Sequence, residues 1–564
     1  MPEAIVTTKE QYRRVPRLDR LGQRKIVREF RRGRASGAVS QRQYAAVTGI
    51  PRTTLQHWNG RPVPAGVDGE IGAFFETPAG VVLLQRILMA AHISLCWMGA
   101  GGTRLVCAFV VAAGLGPFIA NSYGSQHAVA ARIQSALVEF GAAEGARLRV
   151  GMPAREITVC EDETFLAEGI CLVAVEPVSG FVLLEDFAER RDAETWKAAL
   201  EAATAGMPVK VVQVTSDEAK ALICHAETIE AHHSPDLFHV QHEICQAVSL
   251  PLHQRRKHAE DGVRSAAEAV ERRTQERVAY ASGPRGRGRP PDFDGRVRAA
   301  ELVLATAKEA ADTAAEHWEE WRAHMHAVGD VYHPYDLASG ARQSPEVLSA
   351  KLDVAFNGLR AIVRDAGLSQ RSAAGIEKAA RVAPKMVATV TFFEARVQRQ
   401  LEQLGLPPVE EALLREVILP ATYLERAAGR RRPAQRRIIN ATARRLRSSV
   451  PTPNPPDPHA GLHRVGARLA DEFQRSSSCV EGRNGRLSQY QHALRQLNPA
   501  KQAGLTVIHN YLSRRPDGTT AAERFFGTAP NDLIDYLLQH ITGPARPAKS
   551  RARGTNDRYL QASK

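Results

Sequence analysis

Residues 155–187 read REITVCEDETFLAEGICLVAVEPVSGFVLLEDF. Three runs in this stretch are apolar and rich in β-branched side chains: Ile157-Thr158-Val159-Cys160, Gly169-Ile170-Cys171-Leu172-Val173-Ala174-Val175, and Phe181-Val182-Leu183-Leu184. Short runs of this texture bounded by turn residues read as strands. The turn Pro177-Val178-Ser179-Gly180 joins the last two, so the stretch predicts an antiparallel three-strand meander. Residues 192–203 follow as an amphipathic helix with Trp196 and Leu200 spaced i, i+4. A fourth run, 209–214, ends in Thr215-Ser216-Asp217, and after a further helix Asp236-Leu237-Phe238-His239-Val240 is expected to be a strand. The order β-β-β-α-β-α-β makes this an α/β core.

Two acids stand at the ends of strands in that order, Asp162 after the first and Asp217 after the fourth. If those strands are neighbours, both carboxylates emerge at one edge, where their oxygens suit a hard divalent ion such as Mg²⁺. Glu481, in the polar segment Val480-Glu481-Gly482-Arg483-Asn484-Gly485, is the candidate for a third ligand. Two ions about 3.5–4 Å apart activate an attacking hydroxyl and stabilise the leaving oxygen of a phosphodiester. Glu163, Glu218 and Asp236 lie close enough in sequence to compete for these roles, and Asp471 and Glu472 compete with Glu481.

Working outward, the chain carries 75 Lys+Arg against 61 Asp+Glu over 564 residues, a net charge of +14 and a pI near 9.6. The excess is blocked: residues 1–62 carry +10, 422–448 carry +8 and 544–564 carry +5, which leaves −9 for the remainder. Separated basic blocks suit a polyanion touched at several places. In the first block, Ser40-Gln41-Arg42-Gln43 is a capping box that should start a helix with Tyr44, Ala45 and Val47 on its apolar side. Gly49 and Pro51 then separate it from a second short helix, 52–58. This is a helix-turn-helix pattern, and its second helix would present Arg52, Thr53, Gln56 and His57, with Arg42 nearby, to phosphates and base edges.

At this point the chain resembles the DDE-type transposases of bacterial insertion sequences, whose catalytic domain has the RNase H-like fold. The resemblance rests on Asp162 in Glu-Asp-Glu-Thr-Phe, Asp217 in Val-Thr-Ser-Asp-Glu-Ala-Lys, the segment from Asp236 to Val240, and Glu481 in Val-Glu-Gly-Arg-Asn-Gly. It extends to Thr506-Val507-Ile508-His509-Asn510-Tyr511 and the stretch from Arg514 to Arg524, similar to the C-terminal end of many transposase and integrase cores. The departure is the 263 residues between Asp217 and Glu481, which some transposases fill with a helical insertion.

The resemblance implies an RNase H-like mixed sheet interrupted by a large all-α insertion, with an N-terminal helix-turn-helix domain. The corresponding division is 1–62 helix-turn-helix domain, 63–150 helical linking domain, 151–253 first part of the core, 254–450 insertion, 451–463 Pro-rich linker, 464–543 last part of the core and 544–564 basic tail. It further implies Mg²⁺-dependent strand cleavage and transfer, with Mn²⁺ as a substitute. Asp162, Asp217 and Glu481 would be the catalytic and metal-binding residues, and His239, Asn484 and Arg483 their supporting shell. The expected partner is double-stranded DNA, both element ends and target, bound by at least a dimer with no membrane association.

Other patterns set rivals and limits. A DNA-binding regulator, possibly a domesticated transposase, would use the helix-turn-helix alone, and a metal-dependent nuclease would cut without joining. His225, His232, His233, His239 and His242 form a dense set beside Cys224 and Cys245, but no closely spaced cysteine pair accompanies them as a zinc module requires. No Walker-type glycine-lysine loop occurs. Gly283 to Pro291 contains Arg-Gly-Arg-Pro, a core resembling the AT-hook minor-groove element, but in a single copy the stretch reads first as a flexible basic linker. Seven scattered cysteines, no N-terminal apolar core and an apolar stretch (87–120) broken by His92, the glycines 99, 101 and 102, and Arg104 point to a cytoplasmic, nucleoid-associated prokaryotic protein.

Overall fold

The computed structural model of the chain describes residues 20–60, 69–75, 77–167, 169–284, 286, 288–429, 431–448, 459–494 and 497–541. The basic tail 544–564 and residues 451–458 of the Pro-rich linker lie outside them. Two compact units emerge. One comprises residues 1–148, 489–523 and 528–564, the other 149–488 and 524–527.

The second unit holds the α/β core. Its five strands are β1 (Arg155–Leu166), β2 (Gly169–Glu176), β3 (Phe181–Ala188), β4 (Val209–Ser216) and β5 (His232–Pro235), in the order β3-β2-β1-β4-β5. The meander β1-β2-β3 is antiparallel, whereas β4 and β5 run parallel to β1 through helical crossovers. One face is covered by α4 (Ala193–Thr204) and α5 (Lys220–Thr228), whose Trp196, Leu200 and Leu222 pack on Ile157, Val159, Leu172 and Ala174. The expected element order is present, with one correction. The last strand is His232–Pro235, and Asp236 caps a helix instead of opening a strand, its carboxylate accepting from the Phe238 amide at 2.9 Å. An Asx-type cap outcompetes extended backbone once the following residues can bury a helical apolar face, here Leu237, Val240, Ile244 and Val248.

The helix so started, α6 (Leu237–Ser282), pairs with α7 (Phe293–Val331) as a long hairpin. With Pro345–Asp365, α8 (Ala383–Leu404) and the helices up to Asp471 it forms an all-helical core that includes Leu237, Trp321, Phe356, Met386, Phe393, Leu419 and Phe473. The helix Ala460–Asp471 begins inside the segment expected to be linker. Residues 473–477 then return as a strap: the Leu237 amide donates to the Arg475 carbonyl at 2.9 Å, and α9 (Ser478–Leu494) starts there.

In the first unit, α1 (Arg20–Ala35), α2 (Gln41–Thr48) and α3 (Arg52–Asn59) close on Phe30, Ile50 and Leu55. Ser40 and Gln43 make both hydrogen bonds of the capping box, and Gly49 ends α2 at φ 65°, a left-handed conformation suited to glycine. Val47 is 84% exposed, not on the apolar side as expected; Tyr44 provides that side by packing its ring on Phe30. The remaining helices of this unit include Pro78–His92, Thr103–Ala112 and Pro499–Val507. Gly504 sits against the Trp97 ring, where a Cβ would come within 2.4 Å of Cζ3, and Phe140 meets Tyr511 and Tyr536 at 5.6 and 5.1 Å. Of the segment expected as the last part of the core, residues 489–523 and those from 528 on thus group with these helices, and the sheet unit retains its beginning up to Ser488 together with residues 524–527. Among the described residues one helical run, Pro78–Met98, is long and apolar enough by length and composition to cross a membrane, and half of its apolar window is buried inside the protein. The apolar reading that began at 87 missed it because its first turns lie upstream.

Candidate active site

Sheet register brings the site together. Cys160 on β1 pairs with Thr215 on β4, and Thr215 pairs with Ser234 on β5. Asp162, Asp217 and Asp236 each follow a member of that rung by two residues, and side chains two apart along a strand share a face. Asp162, expected at the end of its strand, lies inside β1, which stays paired with β2 as far as Leu166, but it stands just past the last pairing of β1 with β4, so it shares one edge with Asp217 and Asp236, which follow the ends of β4 and β5. Asp236 was readable only as a competitor in the sequence; the parallel pairing of β5, whose register sequence spacing does not disclose, makes it a neighbour.

The first two turns of α9 cross this face. The Cys479 thiol lies against Cys160. Asn484 Nδ2 donates to Asp162 Oδ2 at 2.8 Å, and Arg483 forms a buried ion pair with Glu185 of β3. Glu185 stands opposite Val173, which stands opposite Asp162, so Arg483 and Asn484 grip neighbouring points of one rung. Asn484 therefore faces the carboxylates as part of their shell. Arg483 points away from them and, at 6% exposure, is a positioning residue with its charge spent on Glu185.

Glu481 completes the cluster. Its carboxylate, Asp236 and His239 offer oxygen and nitrogen atoms within 4.8 Å of one another. Asp236, 1% exposed, accepts from Ser477 Oγ at 2.6 Å and from His239 Nδ1 at 3.1 Å. Burial raises the Asp162 pKa, and the charge of Asp217 raises it further against the hydrogen bonds from the Glu163 amide and Asn484. Burial likewise raises Glu481, with Asp236 and Asp162 adding to it. The His239 pKa rises because Asp236 accepts its proton, with the charges of Asp217 and Asp162 contributing. Burial opposes ionisation of Asp236, but the hydrogen bonds from His239, Ser477 and Phe238 outweigh it and lower its pKa.

Apart from Asp236, the competing acids are placed elsewhere. Glu163 lies on the opposite sheet face, bonded to Trp196 Nε1 at 3.3 Å and Arg191 at 3.0 Å. Glu218 pairs with Lys385, Asp471 with Arg426, and Glu472 with Arg396 at 3.0 Å. The histidines are also divided: His225 meets Glu161, His232 meets Thr389, His233 meets Ser216 and His242 meets Gln246.

Oxygen-rich carboxylates that raise one another's proton affinity fit a hard divalent cation. Two further oxygens, Asn484 Oδ1 and Thr215 Oγ1, are buried with no hydrogen-bond partner among the described residues, which suits the same reading. At the other candidate surface, Arg42, Arg52, Thr53, Gln56 and His57 are all exposed, together with Arg28, Arg32 and Arg34 of α1. Arg31 is used differently, tying α1 to the end of α3 through Asn59 at 2.8 and 2.9 Å.

Comparison with known proteins gives one family: residues 414–553 are similar to DUF6399, a family of unknown function. The matched segment includes Glu481, Arg483 and Asn484. No curated protein matches the chain.

Proposed function

We propose that the chain is a DDE-type DNA transposase with an RNase H-like core, in which Asp162, Asp217 and Glu481 bind Mg²⁺, or Mn²⁺ in its place. The observation that carries this reading is the convergence of Asp162, Asp217 and the start of α9, with 318 residues of chain between Asp162 and Glu481 and with Asn484 bonded directly to Asp162. When bound, the ions would activate the attacking hydroxyl and stabilise the leaving oxygen of a phosphodiester. The protein's own part is positional. Asn484 and the Glu163 amide each hold one oxygen of Asp162, which orients the carboxylate. Asp236 fixes the His239 ring and, by accepting its hydrogen bond, favours the charged form of the imidazole. Without further positive charge such a cluster would repel phosphate, so the acids and the polyanion are compatible only through a cation. The exposed side chains of α3, with α1, would select the element ends, and a dimer would hold two of them.

The test uses the full chain and linear duplexes carrying the inverted repeats that flank its gene. Mg²⁺-dependent nicking that exposes a 3′-OH, lost in Asp162→Asn and in Glu481→Gln while duplex binding persists, is the expected result. Wild-type cleavage by either variant would overturn it.

A further inference from the structure

The helix Pro433–Ser448 reads PAQRRIINATARRLRS, with five arginines and no acid. Its apolar positions Ile439, Ala443 and Leu446 recur at i, i+4 and i+7 and pack on Leu424 and Ala428 of the helix Leu419–Ala428. Thr442, on the same side, donates to the Ala338 carbonyl at 2.7 Å. Burial of that side fixes which one meets solvent. Ala434, Arg437, Ala441, Arg444 and Ser448, spaced three and four apart, lie along the opposite side and are exposed, with Arg436 and Arg445 at its margins.

The charge on that side is uncompensated. The carboxylates that meet this segment are taken by other arginines: Asp330 by Arg431, Asp471 by Arg426, and Glu425 by Arg447 at 2.6 Å. Arg436, Arg437, Arg444 and Arg445 make no ion pair among the described residues. Arg436, Arg444 and Arg445 donate to the backbone carbonyls of Arg431, Asn440 and Ser339 at 3.5, 3.3 and 3.0 Å, bonds that hold the side chains without cancelling their charge. The helix offers no exposed amide to read a base edge, since Gln435 donates to Asp330 at 3.4 Å and Asn440 is half-buried. Alanines and a serine between the arginines leave room for the helix backbone to approach a polyanion closely. The pairs Arg436-Arg437 and Arg444-Arg445 stand eight residues apart, about 12 Å along the axis at about 1.5 Å per residue, and the major groove of B-form DNA is about 12 Å wide. The major groove of an RNA duplex is too narrow and deep for side chains to use.

We propose that the helix Pro433–Ser448 is a second surface for duplex DNA, in the other unit from α1 to α3, and that it lies across a major groove and binds the phosphates on both sides of it without regard to sequence. Arginines that meet phosphates position a protein on a duplex but carry no sequence information. A surface of that kind suits the duplex to which an element is joined better than the element's own ends, so a chain carrying both surfaces holds two duplexes at once. This assignment of the second duplex rests on the transposase reading; the binding itself does not.

The full chain and an Arg436→Ala/Arg437→Ala/Arg444→Ala/Arg445→Ala variant are titrated, at several salt concentrations, against two DNA duplexes of unrelated sequence that lack the inverted repeats flanking the gene. Alanine at exposed helical positions preserves the helix, so circular dichroism should show equal helix content in both proteins. The variant should bind both duplexes at least about tenfold more weakly, with a logarithmic salt slope smaller by about 3 to 4, the share of four phosphate contacts. Either arginine pair replaced alone should give about half of that change in slope. On an immobilised inverted-repeat duplex the wild type should capture a second, labelled duplex of random sequence, and the variant should keep the first and fail to hold the second. A variant with the affinity and salt slope of the wild type, or a loss confined to one of the two sequences, overturns the proposal. An equal or larger loss on an RNA duplex of the same sequence overturns it as well. Failure of the wild type to capture a second duplex, with the affinity loss as expected, overturns the two-duplex statement alone. Absence of cleavage with that affinity loss intact overturns the transposase reading alone.

Discussion

The Asn484 amide donates to Asp162, and the consequence for metal binding is specific. Groups that orient a metal-binding carboxylate are worth about 10–100-fold in activity or metal affinity, so Asn484→Ala should lower Mg²⁺-dependent cleavage by that factor and raise the Mg²⁺ concentration needed for half-maximal rate. Unchanged Mg²⁺ dependence would remove Asn484 from the shell. Arg483, its neighbour, acts on stability instead. Both partners of the Arg483–Glu185 pair are almost fully buried, and removing one leaves the other charged and uncompensated. Glu185→Ala should therefore destabilise the sheet unit by about 3–5 kcal/mol, read from denaturant midpoints. A double replacement by apolar residues of similar volume should recover much of that loss, which a merely local strain effect would not.

At the scale of elements, two features carry measurable energy. Ser40 and Gln43 close the capping box of α2, so Ser40→Ala should cost about 1 kcal/mol and weaken DNA binding by the N-terminal helices without altering the rate of strand joining from a pre-nicked end at saturating DNA. On β5, burial lowers the His232 pKa to about 4, with the charge of His233 adding to it. Its folded pKa lies below its unfolded value near 6.5, so the unfolded chain takes the proton first as pH falls. The stability held above pH about 6.5 should drain away between there and about pH 4. His232→Gln, which keeps a polar group beside Thr389 Oγ1, should flatten the melting-temperature profile across that window. An identical profile in the variant would place the acid sensitivity elsewhere.

Across the whole molecule, binding and chemistry are assigned to separate residue sets. The basic blocks should dominate affinity through counterion release, so binding should weaken steeply with salt. Arg52→Ala and Gln56→Ala should reduce discrimination between element ends and random duplex, measured as a ratio of dissociation constants, while the rate of cleavage at saturating DNA stays near that of the wild type. The second basic block is partly consumed by structure: Arg426, Arg431 and Arg447 pair with Asp471, Asp330 and Glu425. Arg432, Arg436, Arg437, Arg444 and Arg445 remain exposed. Counting charge along the chain could not separate the two groups, because partners such as Asp330 and Asp471 lie far away in sequence.

The same division governs the fold and the site. Alternation along β1 to β3, the turn at Pro177 to Gly180, the capping box at Ser40 and the acids at positions 162 and 217 were legible in the sequence because strand pairing in a meander, helix caps and strand ends are set by residues a few positions apart. The gathering of Glu481 and Asn484 at those acids depended on the helical core between 237 and 473 delivering the strap at Arg475 beside Leu237. Helix packing over that distance is a property of surfaces meeting, and no local period records it. Asp236 shows both sides. Its cap chemistry is written in the residues that follow it, yet its place beside Asp217 exists only because β5 pairs in parallel with β4, a register that tertiary structure alone decides.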